Sequence, residues 1–102
     1  MAKFSLGQIV MTRRVNDKVA DDEAFAKVVA SSLKRYISRD WGDTCEEDKK
    51  SNDEALVVGN RIIAAYTIDP TKGESKGFGD NTLWIITEWD RSVTTLLFPD
   101  EY

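Results

Sequence analysis

The chain carries few side chains that could do covalent chemistry. Its one cysteine, Cys45, follows Asp43 in a segment where we expect a helix to begin, and a helix N-terminus can activate a thiol. The sequence contains no histidine, so this thiol lacks its usual general base, and the commonest transition-metal ligand is missing too. We therefore expect Cys45 to be a buried or half-buried structural residue, and the protein not to be an enzyme.

A run of acidic side chains between positions 43 and 54 is the second chemical candidate. Carboxylates alone can hold Mg²⁺ or Ca²⁺. However, the run lacks the alternating oxygen ligands and central glycine of a calcium loop, and Lys49 and Lys50 lie inside it. Gly73, Gly77 and Gly79 are followed by neither a lysine-serine pair nor a predicted helix, so they do not form a phosphate loop. We expect no metal site and no cofactor.

Charge is distributed unevenly along the chain, although the net charge is only −4. Residues 1–39 carry eight basic and four acidic side chains, residues 40–60 carry two and seven, and residues 61–102 carry four and seven. The basic side chains of the first part could meet phosphates if they share one surface. No helix-turn-helix spacing or other nucleic-acid motif accompanies them, so this interpretation remains an alternative. Its residues are Arg13, Arg14, Lys27, Lys34, Arg35 and Arg39.

Length and composition indicate one globular domain over residues 1–102, since 41% of the residues are hydrophobic and 31% are charged. The first ten residues lack the apolar run of a signal peptide, and no segment reaches membrane-spanning length. A single cysteine excludes a disulfide within the chain. We expect a cytoplasmic protein with no membrane partner.

Helical periodicity predicts two helices in the first part of the chain. Thr12 is a suitable N-cap for a short helix that ends at about Val19. Asp21 or Asp22 is a suitable N-cap for a longer one, in which apolar residues recur at helical spacing from Phe25 to Ile37. This second helix should pack one face on the core and show a basic face to water.

A third helix is predicted over residues 44–56, with Gly42 ending the preceding helix and Asp43 capping this one. The two helices should form a helical hairpin. Because the third helix has few apolar positions, we expect it on the surface, anchored by Cys45, Ala55 and Leu56.

The last part of the chain alternates with a period of two, which predicts strands over residues 61–68, 83–89 and 93–98. Only Asp90, Arg91 and Ser92 separate the last two strands, which should form a tight hairpin. The loop over residues 69–81 should be mobile. The predicted fold is α+β, with N-terminal helices packed on a three-stranded antiparallel meander and a short N-terminal edge strand as a possible addition.

Two tryptophans call for different interpretations. Trp84 alternates with Leu83 and Ile85 inside a strand, so we expect it under a helix. Trp89 falls at the tip of the predicted hairpin beside charged residues, which makes it a candidate for an interface with a partner.

Several sequence strings resemble a family of small bacterial proteins of plasmids and other mobile elements, some of them described as type I restriction subunits. They are Trp41-Gly42-Asp43, Cys45 to Lys49, Asn52-Asp53, Trp84 to Glu88, Asp90-Arg91-Ser92, Thr94-Thr95 and the ending Leu97 to Tyr102. The resemblance covers roughly residues 40–102, with a weaker match at residues 6–10. It implies a setting rather than a chemistry, because small proteins of plasmids and phages often act on host defence, toxins or replication.

We therefore expect a non-enzymatic binding protein, of which an anti-CRISPR or anti-restriction inhibitor is the most concrete version. Acidic surfaces would take the place that nucleic acid occupies on a protein partner. The alternatives are a small nucleic-acid-binding accessory protein that uses the basic helices, and an antitoxin-like regulator. The residues predicted at the partner surface are Asp43, Glu46, Glu47, Asp53, Glu54, Glu88, Trp89, Asp90, Asp100 and Glu101.

Overall fold

Helices and a mixed sheet make up the parts of the chain that the computed structural model describes, residues 4–73 and 76–102. The strands are β1 (Gln8–Met11), β2 (Ile62–Thr67), β3 (Thr82–Thr87) and β4 (Val93–Leu97), and the α-helices are α1 (Arg13–Asp21), α2 (Glu23–Ile37) and α3 (Glu46–Val58). Short 3₁₀ helices cover Pro70–Lys72 and Pro99–Glu101. The predicted α+β class is confirmed. Within these ranges, no helix has the length and apolar character needed to cross a bilayer.

The sheet has the strand order β1-β4-β3-β2. The antiparallel pairs β2–β3 and β3–β4 are those of the predicted meander. The expected N-terminal strand is present and pairs with β4 in parallel. The sheet is therefore four-stranded and mixed, and a description as a three-stranded antiparallel meander was incomplete.

The first two helices begin where their capping residues predict. The Thr12 hydroxyl accepts a hydrogen bond from the Val15 amide, and the Asp22 carboxylate accepts one from the Phe25 amide. Each bond satisfies an amide that has no partner inside its helix. Because these caps are local, both helix starts could be predicted correctly from the sequence.

The third helix is positioned by β2 and not by a helical hairpin with α2. Its N-cap is Cys45, which makes no side-chain capping bond. Asn52, buried in the middle of α3, uses its amide group on both backbone groups of Ile63: Nδ2 donates to the carbonyl at 2.8 Å, and Oδ1 accepts from the amide at 3.3 Å. A side chain of α3 thus replaces a neighbouring strand along this part of β2, and the predicted hairpin was wrong.

The segment before α3 closes the rest of the same edge. The Asp43 amide donates to the Ala65 carbonyl at 2.7 Å, and the Thr44 hydroxyl accepts from the Ala65 amide at 3.0 Å. The Asp43 carboxylate accepts from the amide and the hydroxyl of Thr67, both at 2.7 Å. The sequence predicted that Asp43 caps a helix. In the structure it instead binds the backbone at the edge of β2. Such closure removes the template for edge-to-edge aggregation on this side.

The main core lies between the sheet and the helices. Its buried side chains alternate along β2 and β3 and recur at helical spacing on α2, with further members from α1, α3, β4 and the connecting segments. They are Leu6, Val15, Phe25, Val29, Tyr36, Trp41, Ala55, Ile62, Ala64, Tyr66, Leu83, Ile85 and Leu96.

A chain of buried hydroxyls crosses this core. Tyr36 on α2 contacts the Thr87 hydroxyl at 2.7 Å, Thr87 contacts Thr94 at 2.8 Å, and Thr94 donates to the Leu6 carbonyl at 2.7 Å. Each hydroxyl has one hydrogen, and that of Thr94 is used on Leu6. Thr87 must therefore donate to Thr94, and Tyr36 to Thr87. Burial raises the pKa of Tyr36, so the tyrosine keeps the proton that it donates.

Trp84 lies on the sheet face opposite Leu83 and Ile85, and the prediction that it packs under a helix was wrong. It is half-buried, its ring meets that of Tyr102 edge-on at 5.5 Å, and its Nε1 donates to the Gly77 carbonyl at 2.8 Å. The C-terminal residues and the loop before β3 therefore contact this face, which the sequence pattern of a two-sided strand did not predict.

The loop over residues 69–81 is closed at its base. The Asn81 side chain accepts from the Asp69 amide at 2.9 Å and donates to the Asp69 carbonyl at 2.8 Å. Glu74 and Ser75 lie outside the described residues, and the mobility of the loop stays a prediction.

Candidate protein-binding site

The end of α3 and the turn between β3 and β4 meet at one end of the sheet, beside Arg91. The helix ends in Gly59, whose left-handed backbone (φ 79°) turns the chain while Gly59 and Asn60 donate their amides to the Ala55 carbonyl. Arg91 also has a left-handed backbone (φ 61°), which costs a non-glycine residue about 1–2 kcal/mol. Contacts made by its side chain offset that cost.

The Arg91 guanidinium donates to backbone carbonyls of both segments. At the end of α3, Nη2 reaches the Ala55 oxygen at 2.9 Å and Nη1 reaches the Asn60 oxygen at 2.7 Å. In the turn, Nη1 also lies 3.1 Å from the Glu88 oxygen and 3.3 Å from the Trp89 oxygen. A cation beside the C-terminus of a helix is further favoured by the helix dipole. Arg91 therefore links the two segments.

Three large apolar side chains are exposed on these linked segments. Val57 is 85% exposed, Val58 63% and Trp89 66%. Scattered apolar residues are ordinary on a surface, but tryptophan is enriched at the centres of protein interfaces, where apolar neighbours surround it. We call Val57, Val58 and Trp89 the Trp89 surface. The predicted place of Trp89 at the tip of the β3–β4 hairpin is confirmed.

Carboxylates border the Trp89 surface. Glu54 precedes Val57 and Val58 by three and four residues, which places it on the same side of α3. Glu88 and Asp90 flank Trp89 in the turn. Hydrogen bonds from Ser92 lower the pKa of Asp90, so this carboxylate stays charged from neutral to mildly acidic pH. Each of the two linked segments thus carries carboxylates close in sequence to its exposed apolar side chains, and we call Glu54, Glu88 and Asp90 the acidic border.

Several other predicted acidic residues are engaged in contacts within the fold. Asp43 binds the edge of β2, as described above, and Asp53 accepts a hydrogen bond from the buried Trp41 ring nitrogen at 2.9 Å. Glu46 lies 3.4 Å from Lys49. Glu46 and Glu47 begin α3, so at 1.5 Å per residue they lie about 10 Å or more along the helix from Glu54.

Asp100 and Glu101 lie at the opposite end of β4 from Asp90. Asp100 pairs with Arg14 at 2.9 Å. Glu101 accepts from the Phe98 amide at 2.8 Å and from the Thr12 hydroxyl at 2.9 Å, so it closes the C-terminus onto the start of α1. The ten residues predicted at the partner surface thus do not form one surface. Glu88, Trp89 and Asp90 share the turn between β3 and β4, and Glu54 lies on α3, whose end Arg91 joins to that turn.

The predicted basic residues are also divided between different contacts. Arg14 stacks over the Phe98 ring in addition to its pairing with Asp100, and Arg35 pairs with Asp40 at 2.8 Å while lying over the Tyr66 ring. Arg13 is 3.9 Å from Asp17. Lys27 and Lys34 lie seven residues apart on the exposed side of α2, and Arg39 follows that helix with a left-handed backbone (φ 68°).

Cys45 is exposed, and the expectation of a buried or half-buried cysteine was wrong. Because it precedes α3 and makes no capping bond, nothing draws its side chain into the core. Within residues 4–73 and 76–102, no three histidine, cysteine, aspartate or glutamate side chains come close enough together to hold a metal ion. A cleft of ≈ 630 Å³ beside α1 is lined by charges of both signs, including the paired Arg14 and Asp100.

Val57 and Val58 were not among the residues predicted from the sequence. A signal was available, since two adjacent β-branched residues end a mostly polar helix directly before a glycine. Their helix is joined to the turn that carries Trp89 by Arg91, which nothing in the sequence connects to α3.

Comparison of the chain with protein-family models, with curated proteins and with solved structures finds no match. The function is therefore inferred from the side chains of this chain.

Proposed function

We propose that this protein is a non-enzymatic protein-binding module and that the Trp89 surface is its contact with the partner. The observation that carries the proposal is the exposure of Val57, Val58 and Trp89 on segments that Arg91 joins by four hydrogen bonds to carbonyls. Segments linked before binding lose less conformational freedom on association, which favours affinity.

The acidic border favours a partner with basic side chains around an apolar patch. Glu54, Glu88 and Asp90 would meet lysines or arginines of the partner, and Trp89 would fill a pocket between them. Proteins that hold nucleic acid present basic side chains to its phosphates. The most concrete form of the proposal is therefore an anti-CRISPR or anti-restriction inhibitor that occupies such a surface sterically, in agreement with the resemblance to proteins of mobile elements.

Affinity purification tests the proposal. The tagged protein is captured from a bacterial lysate, with and without nuclease, and co-purifying proteins are identified by mass spectrometry. We expect a stoichiometric protein partner that survives nuclease treatment. Capture of nucleic acid alone, lost as salt is raised, would instead support the basic-helix alternative.

Matched variants locate the contact. Trp89→Ala should weaken partner binding by about 30-fold or more, because tryptophan anchors contribute at least about 2 kcal/mol. Glu54→Lys should also weaken partner binding, because it puts a positive charge into the acidic border. The controls are Phe78→Ala, an exposed aromatic elsewhere in the fold, and Glu46→Lys at the other end of α3. Loss of binding in the controls and not in Trp89→Ala would refute the assignment.

A further inference from the structure

The two edges of the sheet differ in how far other parts of the fold cover them. Side chains of Asp43, Thr44 and Asn52 cover the edge of β2. Along the other edge, β1, Ile9 is 50% exposed and Met11 37% exposed. A strand edge with unpaired backbone groups and apolar side chains is a template for pairing with another strand.

The register of β1 shows which backbone groups face outward. Gln8 donates to the Ser92 carbonyl at 3.0 Å and Thr12 donates to the Leu96 carbonyl at 3.1 Å. In a parallel pair, every second residue of a strand bonds to the same neighbour, so Val10 also faces β4. The amides and carbonyls of Ile9 and Met11 therefore point away from the sheet.

The geometry points to a second copy of this chain as the occupant of the β1 edge. If two β1 strands pair in antiparallel fashion about a twofold axis at Val10, Ile9 of each copy lies opposite Met11 of the other. Each of these pairs exchanges two hydrogen bonds, so the outward groups of both residues are satisfied in both copies. The result is a continuous eight-stranded sheet with an isologous interface.

Charge complementarity favours this antiparallel arrangement over a parallel one. Arg13, which is highly exposed, follows the C-terminal end of β1. Gly7, just before β1, packs tightly against the backbone of Arg91 and Ser92, so Asp90 lies near the N-terminal end of the strand. Antiparallel pairing brings Arg13 of one copy toward Asp90 of the other, whereas parallel pairing would place the two Arg13 side chains together.

The oligomeric state tests the inference. Sedimentation velocity over a concentration series up to about 1 mM, where even a millimolar dimer is well populated, should show a mass near twice the 11.5 kDa of the chain. Amide exchange should slow at Ile9 and Met11 as concentration rises, while that of Val10, already bonded to β4, stays unchanged. A monomer throughout, with concentration-independent exchange at both residues, would overturn the proposal.

Two double variants test the register. In Ile9→Lys with Met11→Lys, like charges lie directly opposite at two places, and dimerisation should weaken by about tenfold or more. In Ile9→Lys with Met11→Glu, each introduced lysine faces an introduced glutamate, and the dimer should persist. Equal dimerisation of both variants would exclude this register. The inference does not depend on the proposed function, because the purified protein alone is measured.

Discussion

The hydroxyl chain from Tyr36 to Leu6 predicts an unequal response to substitution at its two ends. Thr94 both accepts from Thr87 and donates to the Leu6 carbonyl, whereas Tyr36 only donates. Thr94→Val has nearly the same shape but removes both bonds, and leaves a buried donor and a buried carbonyl without partners. Tyr36→Phe removes one bond, and Thr87 still donates to Thr94.

The magnitudes follow from the burial of these groups. Tyr36, Thr87 and Thr94 are inaccessible to solvent, so water cannot replace a lost partner. A net hydrogen bond contributes about 1 kcal/mol, and an unsatisfied buried group costs about 1–3 kcal/mol. Tyr36→Phe should therefore lower the free energy of unfolding by about 1 kcal/mol. Thr94→Val should lower it by about 2–3 kcal/mol, after the gain from the buried methyl group of valine is included.

Urea denaturation monitored by circular dichroism measures both values. For a domain of this size, the loss in Thr94→Val corresponds to a decrease of about 10–20 °C in the melting temperature. Thr95→Val, on the opposite face of the same strand, is the control for strand propensity and should change stability little. If Tyr36→Phe were as destabilising as Thr94→Val, the direction of donation along the chain would be wrong.

Three further predictions concern the β2 edge and its surroundings. Asn52→Leu leaves both backbone groups of Ile63 unpaired and should cost about 2–4 kcal/mol in urea denaturation; a cost below about 1 kcal/mol would contradict the described edge contact. Gly42→Ala should destabilise the fold strongly, because a Cβ at φ +64° would lie 2.5 Å from the Ala65 carbonyl oxygen. Gly59→Ala, at φ +79° with open space around it, should lower the free energy of unfolding by only about 1 kcal/mol. The Arg35 guanidinium lowers the pKa of Asp40, so the stability from this pair is present above the unfolded pKa of about 3.9 and is lost as pH falls through the folded value. Asp40→Asn should therefore cost at most about 1 kcal/mol at pH 7, and this cost should disappear as pH falls through the folded pKa of Asp40; a constant difference across an acid titration would refute the ion-pair interpretation.

Features that depend on neighbouring residues could be predicted from the sequence. The N-caps Thr12 and Asp22 act on amides three residues away, and the period-two pattern predicted that β2, β3 and β4 are strands, although for Trp84 it did not show which face lies against the helices. The connection between β3 and β4 is short, at residues 88–92 and not only 90–92 as predicted, so the hairpin with Trp89 at its tip followed from local pattern alone.

Contacts between distant segments required the tertiary structure. Asp43 has the same sequence signature as a helix cap, yet it bonds to Thr67, because the edge of β2 offers amides that no other strand reaches. The parallel orientation of β1 depends on how the helices return the chain to the sheet. The candidate site combines Val57 with Trp89 only through Arg91, whose hydrogen bonds link residues more than thirty positions apart. Sequence periodicity reports local geometry, and such long-range bonds form only when the whole chain has packed.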